Sequence, residues 1–304
     1  MAGAVKSRKS KRSATSDWME LEKQRGISVT SSVLQFEWDG LRWNLLDTPG
    51  HNDFSEDTYR TLTAADCAIM ILDAAKGVEP QTRKLFHVCR MRGIPVVTFI
   101  NKLDRPARDP FELMSQVEEV LGMRSVPYTW PIGSGDLFQG VYDRHGKKVL
   151  RFERGDKGNA SKAEVKIADL ESAEVDALLG AEPAEQLRSE IELLDGAGEE
   201  WSFDKFRAGE LTPVFFGSAL NSFGIEPFLK AFEDLCPVPG PRLDAAGNEL
   251  SPEDDRFSCF VFKVQANMDP SHRDRIAFAR IVSGKFEGGM RVQHYRLGKE
   301  IRLN

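Results

Sequence analysis

Long hydrophobic runs and paired cysteines are both scarce in this sequence of 304 residues. The longest strongly apolar stretch, Cys67 to Leu72, is far shorter than the roughly 18 residues that a membrane-spanning helix needs. The four cysteines include no CxxC pair, so neither a redox motif nor a zinc-ligand spacing is present. The basic residues near the start are followed by no apolar segment of the kind that a secretory signal contains. We therefore expect a cytoplasmic protein whose thiols stay reduced.

Composition favours a globular chain over a disordered or nucleic-acid-coating one. Hydrophobic residues make up 41% of the sequence and charged residues 29%, which is enough apolar material for a core. The net charge is −6, and residues 1–12 hold cations but no acids, so the remainder is more acidic still. An acidic body argues against sequence-independent coating of nucleic acid, although a local patch could meet a large ribonucleoprotein. The length predicts about two domains.

Strands and helices alternate over the first part of the chain. Residues 33–38 and 41–46 form two strand patterns joined by Asp39-Gly40, residue types that accept the positive φ of a two-residue hairpin turn. The predicted elements that follow are helix 56–65, strand 67–73, helix 81–92, strand 94–101 and helix 110–121. Continuous apolar strands separated by helices predict an α/β fold, with a parallel sheet covered on both faces. Ligands bind such sheets at the carboxyl ends of the strands.

The pattern changes at about residue 126. A single strand over 126–132, a hairpin around His145-Gly146 and two short helices over 168–179 and 183–194 predict an insertion spanning about 126–195. Strand 213–216 and helix 224–235 then resume the alternation, so the first domain is predicted to span residues 1–236. Repeated prolines predict a linker over 237–255. Four β-type segments within 256–304 predict an incomplete β-barrel domain.

The first segment with chemical content is Asp47-Thr48-Pro49-Gly50-His51, which follows the predicted strand 41–46. An aspartate there can hold a hard cation through water, and a glycine lets a backbone N–H approach a phosphate oxygen closely. The same residue types also build ordinary turns, so this segment alone leaves both interpretations open.

The second segment is Asn101-Lys102-Leu103-Asp104, at the end of strand 94–101. The Asp104 carboxylate can accept parallel hydrogen bonds from the N1–H and the exocyclic amine of guanine, a pair of donors that adenine cannot offer. Asn101 can tie neighbouring loops together, and the Lys102 stem can pack on the face of a base. A third segment, Gly217-Ser218-Ala219, has small residues whose backbone can approach a base. Each segment alone also fits a plain turn.

In this order, the three segments together resemble the guanine-nucleotide loops of translation-factor GTPases. Segments 2–6, 16–20, 54–62, 129–133 and 272–278 are similar to those of one family, the bacterial peptide chain release factor three (class II) family, which is related to elongation factor G. The resemblance runs along nearly the whole chain. It implies a P-loop-type GTPase domain that uses Mg²⁺ with GTP or GDP and acts in translation termination. The implied partners are the ribosome and the class I release factors on it, with no membrane and no sequence-specific DNA.

The resemblance also implies roles for individual residues. His51 would orient the attacking water, and Gly50 would donate its N–H to the γ-phosphate. Asp47 and Ser28 would hold Mg²⁺, with Ser28 standing where most relatives have threonine. The GTP-binding set implied by matching positions is Asp47, Thr48, Pro49, Gly50, His51, Asn101, Lys102, Leu103, Asp104, Ser218 and Ala219.

One motif of this GTPase family is missing from the sequence. The phosphate loop needs Gly-x-x-x-x-Gly-Lys-[Ser/Thr], whereas Gly-Lys occurs only at positions 146, 284 and 298, each time without the rest. In the family, this loop follows a central first strand between the strands that end at Asp47 and Asp73. We therefore expect a fragment without that strand, with two unpaired strand edges. Alone, such a chain is expected neither to fold stably nor to hydrolyse GTP.

Two alternatives remain open from the sequence. An elongation-factor-G-like or ribosomal protection GTPase shares the segments Thr48–His51 and Asn101–Asp104. A non-catalytic ribosome-associated module, in contrast, would keep a binding surface without a phosphate loop. The DNA upstream of Met1 separates truncation from the module: an in-frame phosphate-loop sequence supports the first, and a clean intergenic region with its own ribosome-binding site supports the second.

Overall fold

The computed structural model describes residues 31–49, 55–152, 163–167, 169–266 and 275–303. The helices are α1 (Ser55–Leu62), α2 (Pro80–Met91), α3 (Pro110–Leu121), α4 (Ala173–Leu179), α5 (Ala181–Ala197), α6 (Phe203–Arg207) and α7 (Ile225–Leu235). The strands are β1 (Ser32–Trp38), β2 (Leu41–Asp47), β3 (Ala68–Asp73), β4 (Val96–Asn101), β5 (Arg124–Pro127), β6 (Thr129–Ile132), β7 (Gly140–Asp143), β8 (Lys148–Phe152), β9 (Ala163–Ile167), β10 (Leu211–Phe216), β11 (Arg242–Leu243), β12 (Glu249–Leu250), β13 (Ser258–Ala266), β14 (Arg275–Ser283), β15 (Arg291–His294) and β16 (Lys299–Arg302). None of the described helices has both the length and the apolar character needed to cross a bilayer.

A four-stranded parallel sheet forms the centre of the first compact unit, residues 1–237. Its strand order is β3-β4-β10-β5, with β3 and β10 on either side of β4. The strands β4 and β10 are almost entirely buried, as the continuous apolar runs in the sequence predict. The predicted α/β class with a parallel sheet is therefore confirmed.

The two faces of this sheet bury alternate residues of each strand. On β4, Val96 and Ile100 join a cluster with α2 and α3, whereas Val97 and Phe99 join a cluster with α7. Successive side chains of a strand point to opposite faces, so an unbroken apolar run supplies both clusters at once. Between β4 and β10, the buried Thr98 and Thr212 hydroxyls lie 2.8 Å apart, and Thr212 also donates to the Val96 carbonyl. Both polar groups are thereby satisfied inside the sheet.

The strands β1 and β2 form a separate two-stranded antiparallel sheet. Its turn is the predicted Asp39-Gly40, with φ of 48° and 77°. The indole of Trp43 stacks on Phe36 and also contacts Phe232 of α7, so one face of the hairpin packs on the second core cluster. Among the described strands, β2 and β3 share no ladder, and Ile71 on β3 remains 62% exposed.

The prediction of one strand over 126–132 is wrong. The chain forms β5 in the parallel sheet, and then β6 in an antiparallel sheet of order β6-β7-β8-β9. Tyr128 lies at the change of sheet: its N–H donates to the Val214 carbonyl, and its carbonyl accepts from the Arg144 N–H. Because residues 126–132 carry no charged side chain and the strand residues among them are buried, the hydrophobic pattern gave no sign of the switch. The predicted hairpin around His145-Gly146 is confirmed as β7–β8.

The second compact unit, residues 238–304, consists of antiparallel pairs in its described part. β11 pairs with β12, β13 with β14, and β15 with β16. The long β13–β14 ladder contains two register shifts, which bend a strand pair locally. The four β segments predicted after residue 256, over 257–266, 276–283, 291–295 and 300–303, all appear, and no bound is shifted by more than one residue.

Candidate functional site

The carboxyl ends of β3, β4 and β10 lie side by side in the parallel sheet. In the register, Asp73 is opposite Asn101, and Ile100 is opposite Phe216. The loops that leave these strands therefore start from neighbouring points on one edge. This is the edge at which ligands bind to open α/β sheets.

Asn101 connects two of these loops through one side-chain oxygen. Its Oδ1 accepts a hydrogen bond from the Lys102 N–H at 2.8 Å and another from the Ala219 N–H at 2.9 Å. The second bond joins residues 118 positions apart in the sequence. The loop after β4 and the loop after β10 are thus fixed to each other, as we expected of Asn101 from the sequence.

Asp104 is held by the hydroxyl of Ser218. The Ser218 Oγ donates to Asp104 Oδ1 at 2.6 Å, and the Ser218 side chain is completely buried. Ser218 is itself fixed by a pair of backbone hydrogen bonds with Phe223, each 2.9 Å long. The Asp104 carboxylate is 14% exposed, and Oδ2 lies 4.0 Å from Arg105 Nε. A carboxylate held in a fixed orientation by a hydrogen bond to one oxygen can accept further parallel donors, because each oxygen has two acceptor sites.

Backbone hydrogen bonds also join the loop after β4 to the loop after β10. The Gly217 N–H donates to the Ile100 carbonyl at 3.0 Å, and the Leu103 N–H donates to the Gly217 carbonyl at 3.2 Å. A side chain at position 217 would collide with the Phe223 carbonyl and come within 2.9 Å of the Phe99 ring. The glycine is therefore required by the close approach of the two loops, whereas Leu103 anchors its loop by being 1% exposed.

Lys102 has a partner that the sequence did not indicate. Its Nζ lies 2.7 Å from Asp73 Oδ2, at the end of the adjacent strand. Burial raises the pKa of Asp73, but the Lys102 ammonium and the Ala75 N–H outweigh it, so the pKa lies below its usual value. The only available signal was that Asp73, like Asn101, is a polar residue closing an apolar strand.

Comparison with known proteins identifies the family. The family description "Elongation factor Tu GTP binding domain" matches residues 1–238 of this chain. The chain belongs to that family. A second description, "Elongation factor G domain 2", matches residues 256–304. The predicted site residues at the ends of β4 and β10 therefore lie within a GTP-binding domain. They are Asn101, Lys102, Leu103, Asp104, Ser218 and Ala219.

The most informative relatives are curated bacterial proteins. "Peptide chain release factor 3" of Symbiobacterium thermophilum is 61% identical over all of this chain and 57% of its own length. The protein of the same name from Synechococcus elongatus is 56% identical over the whole chain and 54% of its own length. This chain thus spans about half the length of these relatives. The predicted resemblance to the release factor three family is confirmed.

A solved structure shows the same fold. The crystal structure of a protein from Thermus thermophilus superposes with a TM-score of 0.70, covering 98% of this chain and 43% of its own. Its sequence is 24% identical. At this identity the likeness concerns the fold alone, and it agrees with the α/β architecture described above.

The other predicted residues of the GTP-binding domain lie at the end of β2 or outside the described residues. Asp47 and Thr48 are half-buried, and the buried Pro49 accepts a 3.4 Å hydrogen bond from the Thr58 hydroxyl of α1 through its carbonyl. β2 belongs to a different sheet from β4, so no strand register relates Asp47 to the loops after β4 and β10. The remaining predicted residues, Ser28, Gly50 and His51, fall outside the part of the chain that the structure describes.

Asp47 fits a magnesium ion that is shared with a nucleotide. In the described ranges, no group of three or more His, Cys, Asp or Glu side chains could hold a metal ion. Mg²⁺ in nucleotide sites, however, needs only one or two carboxylates, with phosphate oxygens and water completing its shell. The half-buried Asp47 carboxylate at a strand end is a hard oxygen ligand of this kind.

Proposed function

We propose that this chain carries the guanine-recognition part of the GTP site of a translation termination GTPase. The observation that carries the proposal is the double link between the β4 and β10 loops, from Asn101 to Ala219 and from Ser218 to Asp104. These bonds fix a carboxylate in place before any ligand binds. Such preorganisation reduces the ordering that binding would otherwise require.

The proposed recognition follows from the chemistry of the base. Asp104 accepts hydrogen bonds from the N1–H and exocyclic amine of guanine, while its other contact, Ser218, donates to it and keeps it oriented. Adenine offers no matching pair of donors, so it would make neither of the two hydrogen bonds to the mostly buried Asp104 carboxylate. A site built around a polar group rejects a ligand that cannot pair with it.

On the phosphate side, the proposed residues follow the family resemblance. Asp47 and Ser28 hold Mg²⁺, which supplies charge neutralisation to the phosphates when it is bound. Gly50 donates its N–H to the γ-phosphate, and His51 orients the attacking water. Orientation suits His51 better than proton abstraction, because phosphoryl transfer depends chiefly on positioning and charge stabilisation.

The proposed setting is translation termination in the cytoplasm. The partners would be the ribosome and the class I release factors, whose departure after peptide release the GTPase promotes. The name that both relatives carry, peptide chain release factor 3, supports this setting over that of an elongation-factor-G-like or ribosomal protection GTPase.

A base-specificity switch tests the proposal. In Asp104→Asn, the carboxamide presents one acceptor and one donor, which complements the N1–H and C2 carbonyl of xanthine. Ligand-detected NMR with millimolar GMP, AMP and XMP measures the three affinities. We expect the unaltered chain to prefer GMP over AMP by about tenfold or more, and Asp104→Asn to prefer XMP.

The matched control is Asp204→Asn, which removes an exposed aspartate from the first turn of α6. It should leave the preference for GMP unchanged. Equal affinities of the unaltered chain for GMP and AMP, or an Asp104→Asn variant that still prefers GMP, would contradict guanine recognition by Asp104.

A further inference from the structure

The ion pair between Asp73 and Lys102 differs from an ordinary surface salt bridge. Its Nζ to Oδ2 distance is 2.7 Å, and the Asp73 side chain is 16% exposed, although the Lys102 side chain is 47% exposed. Exposed pairs of long side chains contribute little, because water competes and the side chains lose rotamer entropy. A short charge-assisted bond to a mostly buried carboxylate orients its partner more strongly.

Asp73 is itself fixed by the turn that follows β3. Its Oδ1 accepts from the Ala75 N–H at 2.9 Å, and its carbonyl accepts from the Gly77 N–H at 2.8 Å. Arg108, on the segment after the Asp104 loop, donates its backbone N–H to Ala74 and its Nε to Ala75. The Asp73 carboxylate therefore has a defined position relative to the loop after β4.

Lys102 is constrained at both ends of its side chain. Its backbone has a φ of 73°, a left-handed conformation that a residue with a Cβ adopts at a cost. Asn101 Oδ1 holds its N–H, and Asp73 holds its ammonium. The four-carbon stem therefore joins two points that are both held, and Asp104 follows two positions later in the chain.

We propose that Asp73 is a positioning residue for guanine recognition, which holds Lys102 so that its stem forms a fixed apolar wall for the base. This inference rests on the proposed function. Asp73 does not touch the base; it acts through Lys102. Without it, the Lys102 side chain would sample several rotamers, and binding would have to order them at a cost in affinity.

A mutant cycle tests whether Asp73 acts through Lys102. GMP affinity is measured by NMR for the unaltered chain, Asp73→Asn, Lys102→Met and the double variant. We expect Asp73→Asn to weaken GMP binding about threefold to tenfold, and to cause no further loss in the Lys102→Met background. Equal losses in both backgrounds, or no loss from Asp73→Asn alone, would overturn the inference.

Lysine acetylation followed by mass spectrometry gives a readout that needs no nucleotide. Asp73→Asn should raise the acetylation rate of Lys102 several-fold, while the exposed Lys84 serves as the internal reference. The matched control is Asp143→Asn, which removes the carboxylate 3.5 Å from Lys148 Nζ. It should raise the acetylation rate of Lys148 and leave that of Lys102 unchanged. A general rise at all lysines would indicate unfolding and count against a positioning role.

The two experiments separate the inference from the proposed function. An unaltered chain with no preference for GMP over AMP contradicts both. A chain that prefers GMP, but in which Asp73→Asn changes neither GMP binding nor Lys102 acetylation, contradicts only the role of Asp73. Asp73→Glu keeps the negative charge, so Lys102 should be acetylated more slowly in this variant than in Asp73→Asn.

Discussion

The loops after β4 and β10 differ from the end of β2 in the contacts that hold them in place. The loops around Asn101 and Ser218 leave two adjacent strands that are almost entirely buried, and both side-chain and backbone bonds join them. The segment Asp47–Pro49 leaves a hairpin whose residues are mostly half-buried or exposed. It is supported from α1 by the bond from the Thr58 hydroxyl to the Pro49 carbonyl.

The difference shows which loops the parallel sheet can hold in place relative to each other. Neighbouring parallel strands end at the same edge, so their loops can be fixed by short contacts between residues far apart in sequence. A hairpin sets its own register through its turn, but that does not locate its end relative to another sheet. The loops after β4 and β10 are therefore fixed to each other by direct contacts, whereas the position of the end of β2 depends on contacts such as that with Thr58.

The largest expected effect concerns nucleotide affinity. The 304 residues hold no phosphate-loop motif, so the backbone amides and lysine that cradle β- and γ-phosphates are not supplied. Calorimetric titration of the chain with GDP and Mg²⁺ should therefore give a dissociation constant weaker than about 1 μM. Binding at that strength or tighter would show that the phosphate end is organised without the motif.

The next largest effect concerns folding stability. Phe216 on β10 is fully buried and contacts Trp130, so Phe216→Ala should lower the free energy of unfolding by about 3 to 5 kcal/mol. Phe36 on the hairpin is half-buried against Trp43, and Phe36→Ala should cost about 1 kcal/mol. Urea titrations of both variants measure the two values. Equal losses would contradict the contrast between the sheet and the hairpin.

A smaller effect is expected from the link between the loops. Asn101→Ala leaves the Lys102 and Ala219 N–H groups without their acceptor, which should cost about 1 to 3 kcal/mol and reduce the preference for GMP. Asn44→Ala is the hairpin counterpart, since Asn44 bonds the exposed Gln35 at 2.9 Å. Its loss should stay below about 0.5 kcal/mol. Chemical denaturation and the GMP titration together check both outcomes.

The smallest expected effect is a pH dependence from Asp73. Its pKa is lower in the folded chain than the usual value of about 3.9, so it stabilises the fold above about pH 4. That contribution is lost as the pH falls through the lowered value. The stability difference between the unaltered chain and Asp73→Asn should therefore shrink from pH 5 to pH 2. Asp39→Asn, in the exposed hairpin turn, is the control, and an identical pH response of both variants would contradict the assignment.

Local signals made much of the fold predictable. The Asp39-Gly40 turn was predictable because both positions need a positive φ, which they have. Helix α3 has the predicted range 110–121, and its ends carry local signals in Pro110 at its start and Gly122 after its end. Asp109 caps its first turn, accepting from Phe111 and Glu112, and Gly122 has a φ of 66°.

Contacts between distant segments could not be predicted in this way. The change of sheet at Tyr128 depends on Val214 and Arg144, which only the folded chain brings near. The Asp73–Lys102 pair depends on the β3–β4 register, which no local pattern contains. Asn101 and Asp104 were recognisable from base chemistry, but their partners Ala219 and Ser218 became definite only once β10 lay beside β4. The nucleotide-binding roles of Asn101, Asp104 and the rest of the predicted set remain predictions, as do those of Ser28, Gly50 and His51.

The most direct test of guanine recognition by the loops after β4 and β10 is an amide NMR titration of the chain with GMP and with AMP. The amide signals of residues 101–104 and 217–219 should shift with GMP and stay unchanged with AMP, while those of Asp47 and Thr48 shift less. Equal shifts with both nucleotides, or GMP shifts confined to other parts of the chain, would contradict guanine recognition at the ends of β4 and β10.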